Sequence, residues 1–202
     1  MSIKPQDIID FWIGDVDNHP TNVPKKSKLW YGSKPATDRQ ISEQFGETLR
    51  QAENNELEQW KGSSEGQLAL VILLDQFTRN LNRGTMAAWK NDKMALEIAS
   101  NAIKNEQHNS LSYFCRVFLY HPFHHSESID SQSKAVQLFE ELQENAISEW
   151  QEPLEKFTRF VKSHHQIIQQ FGRFPHRNDT LCRESTPEEL EYLNQNRRKY
   201  GQ

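Results

Sequence analysis

Residues 68–80, LALVILLDQFTRN, decide the fold class of this chain. Seven consecutive apolar residues open the stretch, and Phe77 and Leu81 continue the spacing of one helical face. Ser64 and Gln67, just before it, match a capping box, which is a signature of a helix start. A short apolar run also suits a buried strand. The cap and the continued 3–4 spacing favour a helix that is buried between other helices.

Helical spacing recurs on both sides of this stretch. Further helices are predicted to start at or near Pro5, Thr37, Asp92, Ser110, Ile129, Leu154 and Thr186. Gly172 is expected to end the longest of them with a left-handed cap, and Pro122 is expected beyond the end of another. Residues 15–28, DVDNHPTNVPKKSK, are polar and rich in turn formers, which predicts a long loop.

The predicted class is all-α, with about eight helices and no clear strand. Most of the predicted connections are short, and short connections between helices imply antiparallel pairs. A chain of 202 residues is long enough for one domain with a sizeable core. We therefore predict a single α-helical domain over residues 1–202.

The composition limits the classes of function. Lys and Arg number 24 against 28 Asp and Glu, and the net charge of −4 gives no bulk attraction to nucleic acid or anionic membranes. The first residues lack the pattern of a secretory signal, and no window approaches the ~18 apolar residues of a membrane helix, so a cytoplasmic location is expected. Cys115 and Cys182 form no CxxC pair, which argues against a disulfide framework or a cysteine zinc site.

The first polar group directly follows the apolar run. Asp75 and Arg79 are four residues apart and face each other along one side of a helix, in the order that favours an ion pair; Asn80 and Arg83 come next. Because the pair follows an apolar run, it is expected to be partly buried, where an unpaired charge is costly. It is either an architectural ion pair or part of a site.

The second polar group is HPFHHSE, residues 121–127. Imidazole and carboxylate groups suit zinc, but the spacing is not that of an H-E-x-x-H helix, so no metal is predicted. A serine beside these histidines lacks the G-x-S-x-G context of a nucleophile. Ser126 and Glu127 would also serve simply to start the next helix.

The remaining polar residues lie in the longest helix and in the loop after it. His164 falls on the apolar stripe of that helix, and a neutral core histidine with one hydrogen bond is the simplest interpretation. The loop carries more polar side chains than a helix end needs, namely Arg173, His176, Arg177, Asn178, Arg183 and Glu184. They either satisfy the backbone of a loop folded on the core, or they present planar forks to a carboxylate or phosphate.

Three stretches resemble the motifs of the bacterial domain-of-unknown-function family 924. They are LALVILLDQFTRN with the RGT that follows, FLYHPFHHSE, and HHQIIQQFGRFPHRNDTLCRESTPEEL. The resemblance runs from Phe11-Trp12 and Trp30-Tyr31 to the last helix, and it is specific because FGRFPHRN followed by RESTPEE is not a generic pattern. It implies a tetratricopeptide-like, right-handed superhelical stack of antiparallel helix pairs. It implies no activity, because fold does not establish function and the family has no assigned one.

The chain departs from the family pattern at a few positions. Thr78 stands where the family usually has proline, so the helix is free to continue past Asp75. Cys182 stands where the family usually has glycine, so a glycine conformation is either not required there or is borne by a cysteine. His124 and His165 occupy variable positions, which lowers the weight of His124 as a ligand.

We expect these motifs to converge at helix ends on one polar, arginine-rich pocket. The leading hypothesis is binding of a small anionic ligand bearing a phosphate or carboxylate, or of an acidic peptide end. The candidate residues are Asp75, Arg79, Asn80, Arg83, His125, Glu127, His164, Arg173, His176, Arg177, Asn178, Arg183 and Glu184. No catalytic residue is assigned and no cofactor is predicted. The expected partners are a small anionic molecule, a peptide or a protein, without nucleic acid or membrane; no oligomeric state is predicted.

Two other hypotheses belong to different classes. The protein is a hydrolase or transferase if His125, His164 or His176 acts as a general base while arginines stabilise developing negative charge. The motifs are purely architectural if protein partners bind on a concave helical surface. A perturbed histidine bonded to a carboxylate in an open site favours an enzyme. Guanidinium groups that are all saturated by backbone carbonyls would argue against both kinds of site.

Overall fold

The structure of the protein, a computed structural model, describes residues 2–196. Over that range it contains α-helices, short 3₁₀ turns and one π-helical turn, and no strand. The helices are α1 (Pro5–Trp12), α2 (Val23–Trp30), α3 (Pro35–Glu53), α4 (Ser64–Val71), α5 (Thr78–Leu81), α6 (Asp92–Lys104), α7 (Tyr113–His125), α8 (Ile129–Glu144), α9 (Ser148–Phe171) and α10 (Pro187–Gln195). The prediction of an all-α fold is confirmed.

Helix α4 is buried on all sides, as its apolar sequence predicts. Residues 68–74 are at most 2% exposed, and α1, α6 and α7 pack around the helix. Its N-terminus is capped by Ser63, whose Oγ accepts the N–H of Gly66 at 3.1 Å, so the predicted cap at Ser64 is one residue off. Gly66 permits a close approach, since a Cβ there would lie 2.0 Å from the carbonyl oxygen of Trp60.

A π-helical turn, Ile72–Phe77, links α4 to α5. The wider turn is visible in the hydrogen bond from the N–H of Thr78 to the carbonyl of Leu73. Single π turns inside helices are frequent at functional sites. This one carries Asp75, which is completely buried. The helix therefore continues past Asp75, and the candidate site is built on an irregular turn of the most buried helix.

The prediction of a loop over residues 15–28 is wrong, because α2 lies there. Pro20–Asn22 forms a 3₁₀ turn before α2, and Pro24 lies in the first turn of α2. The N–H groups of a first turn have no acceptor within the helix, so the missing N–H of a proline costs no helical hydrogen bond there. Polar residues and prolines thus mark helix starts here rather than a loop. The consequence for the core is large: α2 buries Trp30, whose Nε1 donates to the carbonyl of Trp12 at 2.8 Å.

Helix α7 runs through Pro122, although the sequence predicts that proline beyond the end of a helix. A proline inside a helix costs about 3 kcal/mol because it removes one hydrogen bond. That cost is offset by burial, since α7 packs against α4, α6, α8 and α9 with Phe114, Phe118 and Phe123 inside the core. Its continuation to His125 decides where the histidines lie.

The C-terminal part follows the sequence signals closely. Helix α9 ends at Gly172, which adopts the predicted left-handed conformation with φ 70°, and Thr186 and Glu189 form the predicted capping box of α10. Helices α8 and α9 pack along each other after a short connection and therefore run antiparallel. The tetratricopeptide-like superhelical stack stays a prediction. No helix in the described part of the chain is long and apolar enough to span a membrane.

Cys182 adopts a left-handed conformation, with φ 53°, so a cysteine bears here the backbone conformation that glycine favours. A side chain in this conformation costs about 1 kcal/mol or more. Cys182→Gly is expected to be more stable than Cys182→Ala by about 1 kcal/mol, after the entropy of glycine in the unfolded chain is counted. Urea denaturation of the two variants measures this difference. Equal stability would show that the backbone is not strained at this position.

Candidate functional site

Asp75 is the centre of a buried polar cluster. Arg79, one turn further on, donates from Nη2 to Oδ1 of Asp75 at 3.1 Å, which confirms the predicted ion pair. His125, at the end of α7, donates from Nδ1 to the same oxygen at 2.7 Å, and Gln76 Nε2 donates to Oδ2. A carboxylate only accepts hydrogen bonds, so the proton of the neutral imidazole lies on Nδ1. The structure thus joins the first predicted polar group to the second.

The protonation states of Asp75 and His125 follow from their surroundings. Burial would raise the pKa of Asp75, but the charge of Arg79 and the hydrogen bond from His125 hold it below its usual range. Burial lowers the pKa of His125 to about 3, although the charge of Asp75 opposes this shift. At pH 7 an ionised Asp75 therefore accepts from a neutral His125, whose Nε2 remains a hydrogen-bond acceptor.

Asp92, the first residue of α6, supplies a second carboxylate beside Arg79. Its Oδ1 lies 2.9 Å from Nη2 of Arg79, while Nη1 of Arg79 donates to the carbonyl of Ala88 at 3.1 Å. Burial raises the pKa of Asp92, and Arg79 opposes this shift. Asp92 could not be recognised as a site residue from the sequence, because an aspartate at a helix start is already explained by capping.

Arg177 reaches the cluster from the loop after α9. Its Nη2 donates to the carbonyl of His125 at 3.0 Å, and its Nη1 lies 3.9 Å from Oδ2 of Asp92. The guanidinium is held between two rings, with Cζ 4.4 Å from the ring centre of Phe174 and 5.3 Å from that of Trp89. Trp89 is a further residue that the sequence analysis did not propose for the site, because a lone tryptophan carries no local signal.

Histidine rings form one wall of the cluster. The ring centre of His124 lies 4.3 Å from that of His125 and 5.1 Å from that of His164, and His121 lies 4.7 Å from His124. Burial lowers the pKa of all of them and of His176, to about 4 for His164 and about 3 for His176. The wall is therefore uncharged at pH 7.

Two of these histidines differ in how their ring nitrogens are satisfied. His164 is buried and its Nδ1 lies 3.0 Å from the carbonyl oxygen of Phe160, which agrees with the predicted core histidine. Both ring nitrogens of His124 are buried and have no hydrogen-bond partner among the described residues. In residues 2–196 no group of three or more His, Cys, Asp or Glu side chains is arranged to hold a metal ion.

Arg173 and Asn178 support the loop rather than the cluster. Arg173 donates from Nε and Nη2 to both carboxylate oxygens of Glu189 at 2.7 and 2.8 Å, and from Nη2 to the carbonyl of Glu184 at 2.8 Å. Asn178 donates to Glu189 at 3.1 Å. The side chain of Glu184 is exposed. These contacts fix the loop against the start of α10.

Glu127 and Arg183 form a second brace. Arg183 donates from Nη1 and Nη2 to Glu127 at 2.6 and 3.0 Å, and from Nη2 to the carbonyl of Phe174 at 3.1 Å. Glu127 also accepts the N–H of Phe174 at 2.8 Å. The brace fixes the ring on which Arg177 stacks, so these residues position the cluster from outside it.

Asn80 and Arg83 bind to a different element. Both donate to Asp38 of α3, Asn80 at 2.9 Å and Arg83 at 3.0 and 3.3 Å. They tie the end of α5 to α3, as expected of buried polar groups that must be satisfied. Of the candidate residues, the structure therefore brings Asp75, Arg79, His125, His164, His176 and Arg177 together.

Tyr31, just after α2, stands at the rim of the cluster. It keeps 47% of its surface exposed, yet burial by the surrounding protein and the charge of Asp75 raise the pKa of its hydroxyl group. The sequence pointed to Tyr31 only through the family resemblance at Trp30-Tyr31.

Comparison with known proteins identifies the family of this chain and a solved structure with a similar fold. The profile of a family described as bacterial protein of unknown function (DUF924) matches residues 8–197. A solved structure of a protein of unknown function from Agrobacterium tumefaciens is similar, with 34% sequence identity and a TM-score of 0.79 over 95% of this chain and 97% of that one. No curated protein matches the chain. The chain therefore belongs to the DUF924 family of bacterial proteins.

Proposed function

We propose that the protein binds a small anionic ligand, through a carboxylate or phosphate, at Arg177. The observation that supports this is the state of the Arg177 guanidinium. Only 7% of the residue is exposed, its Nε is buried without a hydrogen-bond partner among the described residues, and its nearest carboxylate contact, with Asp92, is long at 3.9 Å. A buried charge is costly unless it is well paired, and an anion would supply the missing partner.

The electrostatics around Arg177 support the same proposal. Burial, and then the positive charge of Arg79, lower the pKa of Arg177 to about 10, although Asp92 and Glu127 act in the other direction. Burial and the charge of Arg177 likewise lower the pKa of His176 to about 3. Burial disfavours a charge of either sign, but the repulsion that Arg177 exerts on His176 and receives from Arg79 would be relieved by a negative charge beside these groups.

The other arginines near the cluster are better paired. Arg79 contacts two carboxylates and a carbonyl, and Arg183 contacts Glu127 through two nitrogens. Arg173 contacts Glu189 in the same two-pronged way. The Nε of Arg79 and that of Arg183 are also buried without a partner among the described residues, but the charge of each guanidinium is already compensated by a carboxylate at 3.1 Å or less. Arg177 is therefore the residue that we assign to the anion, with Arg79 contributing charge.

Thermal shift tests this assignment. Sodium phosphate and sodium acetate, titrated at constant ionic strength, are expected to stabilise the wild-type protein, by about 2.7 kcal/mol at a hundred times the dissociation constant. Arg177→Gln is expected to lose this stabilisation. Arg159→Gln, which changes an arginine with 65% of its side chain exposed, is expected to keep it. Equal stabilisation of Arg177→Gln and wild type, or none of wild type by either anion, would overturn the proposal.

A second candidate function, a hydrolase or transferase, is favoured by one observation. The 2.7 Å hydrogen bond from His125 to Asp75 is the arrangement by which a buried carboxylate orients a histidine base and fixes its tautomer. Because burial lowers the pKa of His125 to about 3, the free imidazole is a weak base at pH 7. A bound anion would raise that pKa, so this candidate depends on ligand binding first.

A further inference from the structure

Asp92 lies between the two guanidinium groups of the cluster. Its Oδ1 is 2.9 Å from Nη2 of Arg79, and its Oδ2 is 3.9 Å from Nη1 of Arg177. No other carboxylate among the described residues forms an ion pair with Arg177. A separation of 3.9 Å is too long for a hydrogen bond, so Asp92 compensates the charge of Arg177 without bonding to it. Asp92 is therefore the group with which an anion at Arg177 would compete.

The cluster carries no net charge while Asp92 is ionised. Two carboxylates face two guanidinium groups, and the histidine rings around them are uncharged at pH 7. The four charged residues are Asp75, Asp92, Arg79 and Arg177. A bound anion alone would leave one negative charge unpaired in a buried region, which is costly. A proton that enters together with the anion would restore the balance.

Asp92 is better placed than Asp75 to take up that proton. Asp75 has no exposed surface, accepts three hydrogen bonds and has its pKa held below the usual range. Asp92 keeps 24% of its side chain exposed, so a proton from solvent can reach it. Burial raises the pKa of Asp92; of the charged groups that face it from the π turn, α5 and the loop after α9, Asp75 adds to this rise while Arg79 and Arg177 oppose it. A negative charge beside Arg177 would raise that pKa further.

The histidines are worse placed for the same proton. His125 already donates to Asp75 from Nδ1, and a second proton on its ring would be repelled by Arg79. A proton on His176 would be repelled by Arg177. The protonated carboxyl group of Asp92 would instead donate a hydrogen bond to the anion itself, and O–H···O⁻ bonds of this kind are short and strong.

We infer that Asp92 couples the binding of an anion at Arg177 to the uptake of one proton. The ionised carboxylate is the resident counter-ion of Arg177. Once it has taken a proton from solvent, it releases Arg177 and donates to the incoming anion. This inference rests on the proposed function. Because the protein gains a proton on binding, its affinity for the anion rises as the pH falls.

Calorimetry with acetate and sulfate between pH 6 and 8 tests the inference, because the charge of both anions is nearly constant over this range. The wild-type affinity is expected to rise by up to about tenfold for each pH unit by which the pH falls. Titrations at pH 7 in Bis-Tris and in imidazole, which differ in ionisation enthalpy, measure the proton uptake, and up to one proton per anion is expected.

Two variants locate the proton. Asp92→Asn is expected to bind both anions roughly 10- to 100-fold more tightly than wild type at pH 8, because it lacks the competing charge, and to take up no proton. Asp38→Asn removes a carboxylate that also pairs with an arginine and has 22% of its side chain exposed, so it changes the net charge equally. It is expected to bind as wild type does. Far-UV circular dichroism verifies that both variants fold.

The outcomes separate the inference from the proposed function. Binding that does not depend on pH, or proton uptake that persists in Asp92→Asn, overturns the inference while the anion site stands. Absence of binding by both anions at every pH overturns the proposed function as well. In the wild-type protein, infrared difference spectra with sulfate are expected to show a newly protonated carboxyl group, and they do not depend on a variant. Proton uptake without that signal places the proton on a histidine and overturns the inference.

Discussion

Lowering the pH from 7 to 5.5 is expected to reduce the free energy of unfolding by roughly 4 kcal/mol or more. Burial lowers the pKa of His125 and His176 to about 3 and that of His164 to about 4, against about 6.5 in an unfolded chain. Between these values the unfolded state binds protons that the folded state does not, so stability falls as pH falls below 6.5. Each such histidine contributes about 1.4 kcal/mol per pH unit.

One acidic group acts against the histidines: burial raises the pKa of Asp92, so on acidification the folded protein binds this proton before the unfolded chain does, which offsets part of the loss. The pKa values of Asp75 and Glu189 are lowered in the folded protein, so the stability that they contribute is lost only below about pH 4.5, where the unfolded carboxylates take up protons. Urea denaturation at several pH values between 7 and 5 measures the slope. A slope near zero would mean that the histidines are protonated in the folded state.

His124→Leu provides an internal control for the histidine effect. His124 is buried with both ring nitrogens unpartnered in the described structure, and burial lowers its pKa well below the usual range. Leucine has a similar size and leaves no polar group unsatisfied, so the variant is expected to be at least as stable as wild type at pH 7. Its loss of stability below pH 6.5 is expected to be smaller by about 1.4 kcal/mol per pH unit.

Asp75→Asn is expected to destabilise the protein by about 3–5 kcal/mol at pH 7. The change removes the charge that pairs with Arg79 and replaces one of the two oxygens that accept from His125 and Gln76 by an NH2 group, and an uncompensated buried charge is costly. Chemical denaturation measures the loss. Asp38→Asn is the matched control: Asp38 also accepts from an arginine and an asparagine, but 22% of its side chain is exposed, so a loss of only about 1 kcal/mol is expected.

The same pair of variants bears on the second candidate function. If His125 acts as a base, hydrolysis of p-nitrophenyl esters by the wild-type protein is expected to fall at least a hundredfold in Asp75→Asn and little in Asp38→Asn. Equal rates in the two variants would count against the role of His125. Equal stability of the two variants would count against the buried ion pair as a major contribution to folding.

The fold class could be predicted from the sequence because helices depend on neighbours along the chain. The apolar run of α4, the cap at Gly172 and the capping box of α10 are each set by residues within about one turn. The predictions of helix boundaries failed at prolines, because proline occurs both in loops or at helix ends and within helices. Pro20 before α2 and Pro24 in its first turn suggested a loop. Pro122 suggested a helix end, because only burial in the assembled core shows that α7 tolerates a proline.

The site could be predicted only in part. The ion pair between Asp75 and Arg79 was predictable because the two residues are one helical turn apart. The roles of the residues in the C-terminal loop could not be predicted. Arg173 and Asn178 brace the loop, while His176 and Arg177 approach the cluster. Arginine and asparagine suit a brace and a binding site equally well, so residue type alone does not choose between them.

It follows from the sequence alone that this chain is helical, which helix is the most buried, and that Asp75 and Arg79 form an ion pair. Only the tertiary structure decided that His125, Asp92 and Arg177 join them. The two kinds of contact differ in the sequence separation of the residues that form them. Helix propensity, capping and pairs one turn apart are interactions within a few residues, whereas these three side chains come from α7, α6 and the loop after α9. Their meeting depends on how apolar faces pack against α4, which no local pattern specifies.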